Sequence, residues 1–140
     1  MKSYHLFALL LFAVVLGACG GSSSNGGASA AASVVGLDPA AFQKAISWPG
    51  AYVLNVHVPY ENEIEGTTAF IAYDRLRESA SQLPKDKAAP LYVYCRSGNM
   101  SAQAVETLKK MGYTRLFELT GGMAAWREAG LPLVSKPGRS

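Results

Sequence analysis

Cysteine and histidine are scarce in this 140-residue chain, which holds only Cys19, Cys95, His5 and His57. A structural zinc site would lack ligands and a disulfide framework would lack pairs. Charge is sparse too: charged residues make up 16%, and setting aside Lys2 at the amino terminus leaves 12 of the 13 basic residues against 10 acidic ones. No run of Lys and Arg interleaved with aromatics is present, so the footprint of a nucleic-acid binder is missing and no such partner is expected. The one long apolar run, Leu6 to Leu16, is shorter than the ~20 residues that carry a helix across a bilayer. A permanent transmembrane span is not expected. With 49% hydrophobic residues, the remainder suffices for one domain with a core and is too short for two of ordinary size.

The first residues read as an address. Lys2 is followed by the apolar run, then by Gly17 and Ala18 directly before Cys19, which is the grammar of an export signal. Leu16-Gly17-Ala18-Cys19 resembles the bacterial lipobox, whose cysteine receives a diacylglycerol after cleavage of the bond before it. The resemblance implies a lipoprotein held at a membrane by its acyl chains, at ~0.8 kcal/mol per buried CH2. The other reading of this segment is an ordinary cleaved signal peptide that leaves Cys19 as a thiol. From Gly20 to Ser33 the chain carries no charge and almost nothing large enough to pack, so it reads as a tether holding a domain about 20 Å from its anchor. The expected division is residues 1–18 as signal peptide, 19–33 as lipidated cysteine and tether, and 34–140 as the folded domain. Gly20 after the cysteine gives no sign of inner-membrane retention, so an outer-membrane fate is open only in a cell with two membranes. The expected location is a membrane-anchored, exported one, at a periplasmic face or the cell surface.

Within the domain, strand and helix patterns alternate. Asp38-Pro39 is a helix-start signature, with Phe42, Ala45 and Ile46 on one face, so a short helix is expected to open the domain. Tyr52 to Val56 and Leu91 to Tyr94 read as buried strands. Ser101 can cap a helix carrying Val105, Leu108 and Met111 and stopping at Gly112. Leu116 to Leu119 is a further strand, and Met123 to Ala129 a further helix with Trp126 inward. Asp74 to Leu83 reads as another short helix, and Val58 to Tyr73 shows no clear period. This alternation predicts an α/β fold, a small parallel sheet with helices on both faces and a ligand crevice at the carboxyl ends of the strands. Tyr92, Tyr94, Phe117 and Trp126 are assigned to the core.

Cys95 falls between a strand end and a helix start, in Cys95-Arg96-Ser97-Gly98-Asn99-Met100-Ser101. A loop folding back there turns backbone N–H groups inward, and the resulting nest, with the helix dipole behind it, favours a thiolate. Gly98 permits backbone angles that other residues resist, and Arg96 places a cation at the rim. This loop, with Gly112-Tyr113 and then Leu119-Thr120-Gly121-Gly122, Trp126, Gly130 and Pro132, resembles the single-domain rhodaneses, from about Leu91 to Leu133 and more weakly back to the first helix. The resemblance implies a sulfurtransferase. Cys95 would take a sulfane sulfur from a small donor such as thiosulfate, become a persulfide, and pass the sulfur to a thiol or cyanide acceptor. The nest from Arg96 to Ser101 would stabilise the persulfide, Arg96 would attract an anionic donor, and Ser97, Asn99 and Met100 would shape access. No metal and no organic cofactor is required. Outside the cytoplasm such a cysteine would need a thiol reductant or acceptor.

Two departures stand out. Where the family usually carries Asp-x-Arg, this chain has Asn55-Val56-His57, and the segment after Glu65-Gly66 lacks the family's usual His and is shorter. His57 is open to two readings: a hydrogen-bonded residue at a strand end, or a titratable neighbour of Cys95. Asn55 and His57 are therefore candidate modulators. For Cys95 the bland alternative is a buried inert thiol. A cysteine phosphatase would want Arg six positions on, where Ser101 stands, and a cysteine hydrolase would want a third residue to orient His57. The competitor from another class is a tethered, non-catalytic module that binds a partner or senses oxidants through its thiol.

Overall fold

The computed structural model describes residues 31–139. The expected signal peptide, Cys19 and most of the expected tether lie outside the described residues. Five strands, β1 (Ser33–Leu37), β2 (Tyr52–Asn55), β4 (Ala69–Phe70), β5 (Leu91–Tyr94) and β6 (Arg115–Leu119), form one sheet in the order β1-β6-β5-β2-β4. Every neighbouring pair in it is parallel. A two-stranded antiparallel ribbon pairs β3 (Glu63–Ile64) with β7 (Leu133–Val134). The helices are α1 (Pro39–Ile46), α2 (Asn99–Lys110) and α3 (Gly122–Glu128).

The expected parallel α/β sheet is therefore the observed one, and the two-residue period of its strands sorts the core. Leu91, Val93 and Cys95 face one side, where they join Leu54, Val56, Leu116 and the α2 residues Ala104, Val105 and Leu108. Tyr92 and Tyr94 face the other, with Phe42 of α1 and Met123 and Trp126 of α3. Phe42 meets Tyr92, Tyr94 and Trp126 edge-on, with ring centroids 5.9, 6.3 and 6.3 Å away, the arrangement that aromatic quadrupoles favour. Side chains on both faces explain why β5 is apolar throughout rather than alternating with polar residues.

Local signals set the helix ends. Asp38 Oδ1 accepts from the Ala41 N–H at 2.8 Å with Pro39 in the first turn, as an N-cap does. Gly112, at φ +92° just past the Met111 C-cap of α2, is the left-handed stop that its position predicts.

Three expectations are corrected. A strand, not a helix, opens the domain, and Ser33, placed in the tether, is its first residue, pairing with Arg115. β1 is an edge strand whose side chains are largely exposed, so backbone pairing holds it and no hydrophobic period announces it. Asp74 to Leu83 is a series of turns with only a 3-10 segment at Ala80–Gln82, because Leu76 and Leu83 are its only buried members. Ser101 does not cap α2: Gly98, at φ +100°, takes the N-cap position without a side-chain bond, and Ser101 lies inside the first turn, fully buried. The segment from Val58 to Tyr73, which shows no period in sequence, contains β3 and β4. There Glu63 is fully buried and ion-paired with Lys136 Nζ at 2.9 Å and Arg139 Nη1 at 3.3 Å, the company a buried carboxylate needs. No described helix is long and apolar enough to cross a membrane.

Candidate active site around Cys95

Cys95 follows β5 at the carboxyl end of the sheet and is 1% exposed. The Gly98 N–H donates to Cys95 Sγ at 3.0 Å, which requires the chain to double back within three residues and explains the positive φ of Gly98, a geometry that glycine adopts without penalty. The sulfur also lies 3.5 Å from Ser101 Oγ. Ser101 in turn bonds Glu118 Oε1 of β6 at 2.5 Å, and its hydroxyl lies 3.0 Å from the Gly98 carbonyl.

The backbone of the site is held from the opposite face of the sheet. At the start of α3, the Met123 N–H donates to the Cys95 carbonyl and the Ala124 N–H to the Arg96 carbonyl, both at 2.9 Å. A Cβ on Gly122 would run into the Cys95 carbonyl and the Arg96 backbone. The Gly121-Gly122 pair is thus the close-approach point that lets α3 dock on the cysteine loop, with φ +75° and +59°.

The predicted loop residues come together unevenly. Gly98 and Ser101 touch the sulfur, whereas Ser97 and Asn99 are exposed and Met100 packs against the core cluster that contains Cys95. Arg96 is exposed and not free: its Nη1 lies 3.2 Å from Glu61 Oε1. The same carboxylate oxygen lies 3.5 Å from His57 Nε2. His57 is 7% exposed, and Nε2 is a buried atom without a hydrogen-bond partner. Glu61 therefore links His57 to the rim of the cysteine loop, and among the described residues no hydrogen bond joins His57 to Cys95 directly. Asn55, fully buried, accepts from the His57 N–H at 3.0 Å through Oδ1 and donates to the Asn62 carbonyl at 3.0 Å through Nδ2. It ties the turn that presents His57 and Glu61.

Sequence reasoning missed Glu61 and Glu118. Glu61 sits in the stretch without a period, where nothing marked it. Glu118 carried a signal: it stands on a strand between Phe117 and Leu119, two residues after the fully buried Leu116, at a position where the alternation calls for an apolar side chain.

The rhodanese-like domain family matches residues 38–129, and the chain belongs to that family. A sulfurtransferase of Allochromatium vinosum is 45% identical over 58 residues, covering 41% of this chain and 52% of its own. An uncharacterized protein of Synechocystis is 31% identical over 100 residues, covering 71% and 56%. The chain thus spans about half the length of these curated relatives. Among solved structures, a rhodanese-related protein from Thermoplasma volcanium superimposes with a TM-score of 0.62 at 30% identity, covering 73% of this chain and 99% of that one. A rhodanese-like domain protein from Staphylococcus aureus, at 23% identity and a TM-score of 0.59 over 72% of this chain, shares the fold.

Proposed function

We propose that the protein is a sulfurtransferase working through a Cys95 persulfide. The observation that carries the reading is the Gly98 N–H aimed at Cys95 Sγ from 3.0 Å, inside a loop that opens at the carboxyl end of a parallel sheet, where open α/β sheets bind ligands. A preformed donor on the sulfur supports anionic forms of it without reorganisation during reaction. In the first half-reaction the Cys95 thiolate attacks the outer sulfur of thiosulfate. The new S–S bond forms as the old one breaks, and sulfite leaves with the electron pair. In the second, a thiol or cyanide attacks the outer sulfur, and the Cys95 thiolate leaves. Neither step draws on a metal or organic cofactor. Membership of the family and the sulfurtransferase relative support this reading.

The rim shapes the donor. Because Arg96 is paired with Glu61, an anionic donor meets a cation already partly neutralised, and Asn55 and His57 act on the site by placing Glu61. Ser97, Asn99 and Met100 form the approach to a sulfur that is itself buried. That burial suits a small donor better than exchange with a large protein disulfide.

The proposed setting is outside the cytoplasm. The signal peptide over residues 1–18, the lipidated Cys19 and the tether would hold the domain on a membrane, at a periplasmic face or the cell surface, with an extracytoplasmic thiol reductant as the acceptor's source of electrons. Cys19→Ala would then move the protein from the membrane to the soluble fraction and abolish incorporation of labelled fatty acid; retention of both would remove this assignment.

Turnover of thiosulfate to thiocyanate with cyanide as acceptor, on the full chain in mild detergent beside its Cys95→Ala variant, tests the chemistry. The wild type turns over and the variant does not. If neither does, and mass spectrometry finds no persulfide on Cys95 with thiosulfate or polysulfide, the protein is instead a tethered, non-catalytic binding or redox-sensing module.

A further inference from the structure

Glu118 is the one carboxylate placed among the side chains that β6 turns toward α2, in register with Val93 of β5 and two residues from the fully buried Leu116. Glu118 is half-buried there, and its hydrogen-bond partner is Ser101, itself 0% exposed and 3.5 Å from Cys95 Sγ. Ser101 has a single proton and three polar neighbours, Glu118 Oε1, the Gly98 carbonyl oxygen and Cys95 Sγ. With Glu118 ionised, the hydroxyl proton points to the carboxylate and the Ser101 lone pair is left for the Cys95 S–H. With Glu118 protonated, the carboxyl donates to Ser101 Oγ, and the hydroxyl is released to donate to the Gly98 carbonyl or, once the sulfur is anionic, to the sulfur.

We propose that Cys95, Ser101 and Glu118 form a proton relay in which Glu118, acting through Ser101, receives the thiol proton before attack and returns it after sulfur transfer. The S–H proton passes to Ser101 Oγ as the Ser101 proton passes to Glu118 Oε1. Sulfur keeps the bonding pair, so thiol plus carboxylate becomes thiolate plus carboxylic acid with the net charge unchanged. The persulfide then has two hydrogen-bond donors, the Gly98 N–H and the Ser101 hydroxyl. When an acceptor removes the outer sulfur, the Cys95 thiolate regains its proton along the same path. Glu118 touches the sulfur only through Ser101 and is a positioning residue for it. The relay rests on Cys95 being the reacting sulfur of the proposed transfer.

Among the described residues, the other charged and titratable groups paired at the rim of this loop are Arg96 itself and, from the turn after β2, Glu61 and His57. The test must separate Glu118 from them. Alkylation of Cys95 by iodoacetamide, followed across pH on the full chain in mild detergent and assigned by peptide mass spectrometry to distinguish it from Cys19, reads the relay without sulfur turnover. A thiolate formed by internal transfer is present at a level independent of pH, so the wild-type profile has a shoulder on its acid side. In Glu118→Gln, whose amide oxygen still accepts from Ser101, the shoulder is lost and the rate falls about tenfold per pH unit. Ser101→Ala loses the shoulder too, Ser101→Thr keeps it, and His57→Gln keeps it. Should Ser101→Ala unfold, Glu118→Gln decides alone.

A shoulder that survives in Glu118→Gln, or that disappears in His57→Gln instead, overturns the relay, as does a wild-type profile without one. The outcome is separable from that of the sulfurtransferase reading. A shoulder with no thiocyanate formed leaves the proton transfer from Cys95 to Glu118 standing and removes the sulfurtransferase function, and thiocyanate formed without a shoulder leaves the function standing without the relay.

Discussion

The two faces of the central sheet divide the work between the thiol and its backbone. On the α2 face the packing is mostly aliphatic, with Tyr113 the fully buried aromatic, and there Cys95 Sγ meets Ser101 and the first turn of the helix. On the α1 and α3 face the packing is aromatic around Phe42, and from there α3 grips the Cys95 and Arg96 carbonyls. The same five consecutive residues, Leu91 to Cys95, serve both, because alternate side chains of a strand point to opposite sides. The face that holds the nucleophile is not the face that fixes where it sits. A site built this way can vary the groups around sulfur while the aromatic layer keeps the loop in place.

Trp126→Ala tests that division most severely. It removes the indole that meets Phe42 edge-on and the Nε1 donor to the Pro132 carbonyl at 2.9 Å, and should lower stability by about 3–5 kcal/mol in urea titration. If the faces are separate, activity per folded molecule is largely kept; a loss of activity without a loss of stability would break the comparison. Gly122→Ala sits where the faces meet. The added methyl collides with the cysteine loop backbone, so stability should drop by about 3 kcal/mol and turnover should fall with it, measured on the fraction that stays folded.

Tyr94 is the aromatic face's own hydrogen-bond centre. Its hydroxyl accepts from the Ile64 N–H at 3.0 Å and lies 2.6 Å from Thr67 Oγ1. Burial raises its phenol far above the ordinary value near 10, with the bonds to Thr67 and Ile64 opposing in part. The native state therefore holds this proton after the unfolded chain has released it. The stability it contributes is intact below about pH 10 and declines as pH rises further. Tyr94→Phe should cost about 1–3 kcal/mol at neutral pH and flatten the fall in melting temperature above pH 10; an unchanged alkaline slope would place that slope elsewhere.

The smallest effect expected is at the rim. Glu61→Gln releases Arg96 from its carboxylate partner and should lower KM for thiosulfate about threefold with little change in stability, since exposed ion pairs contribute about 0–1 kcal/mol. An unchanged KM would mean that Arg96 does not meet the donor.

Much of this organisation was legible in the sequence where one residue's neighbours in the chain are also its neighbours in space. The Asp38 cap, the Gly112 stop, the β5 strand and the turn of Gly98 toward Cys95 are local, within a few residues, and their signals are written in residue types. In sequence Ser101 reads as a cap because serine beside a helix start ordinarily is one, and it is the position of β6 that sets Glu118 against its hydroxyl. The edge strand β1 left no trace because backbone pairing, not side-chain burial, holds it.

By itself, then, the sequence determined the alternation of strands and helices, the family, and the cysteine loop with the glycine that turns it. Those follow from periodicity and backbone preference, which act over a few residues. Only the tertiary structure decided what surrounds the sulfur: Glu118, 17 residues from Ser101, Glu61, 35 residues from Arg96, and the α3 amides that reach back to the Cys95 loop. A hydrogen bond requires about 3 Å in space and nothing of the chain between, so these partners exist only once the sheet has brought its strand ends together.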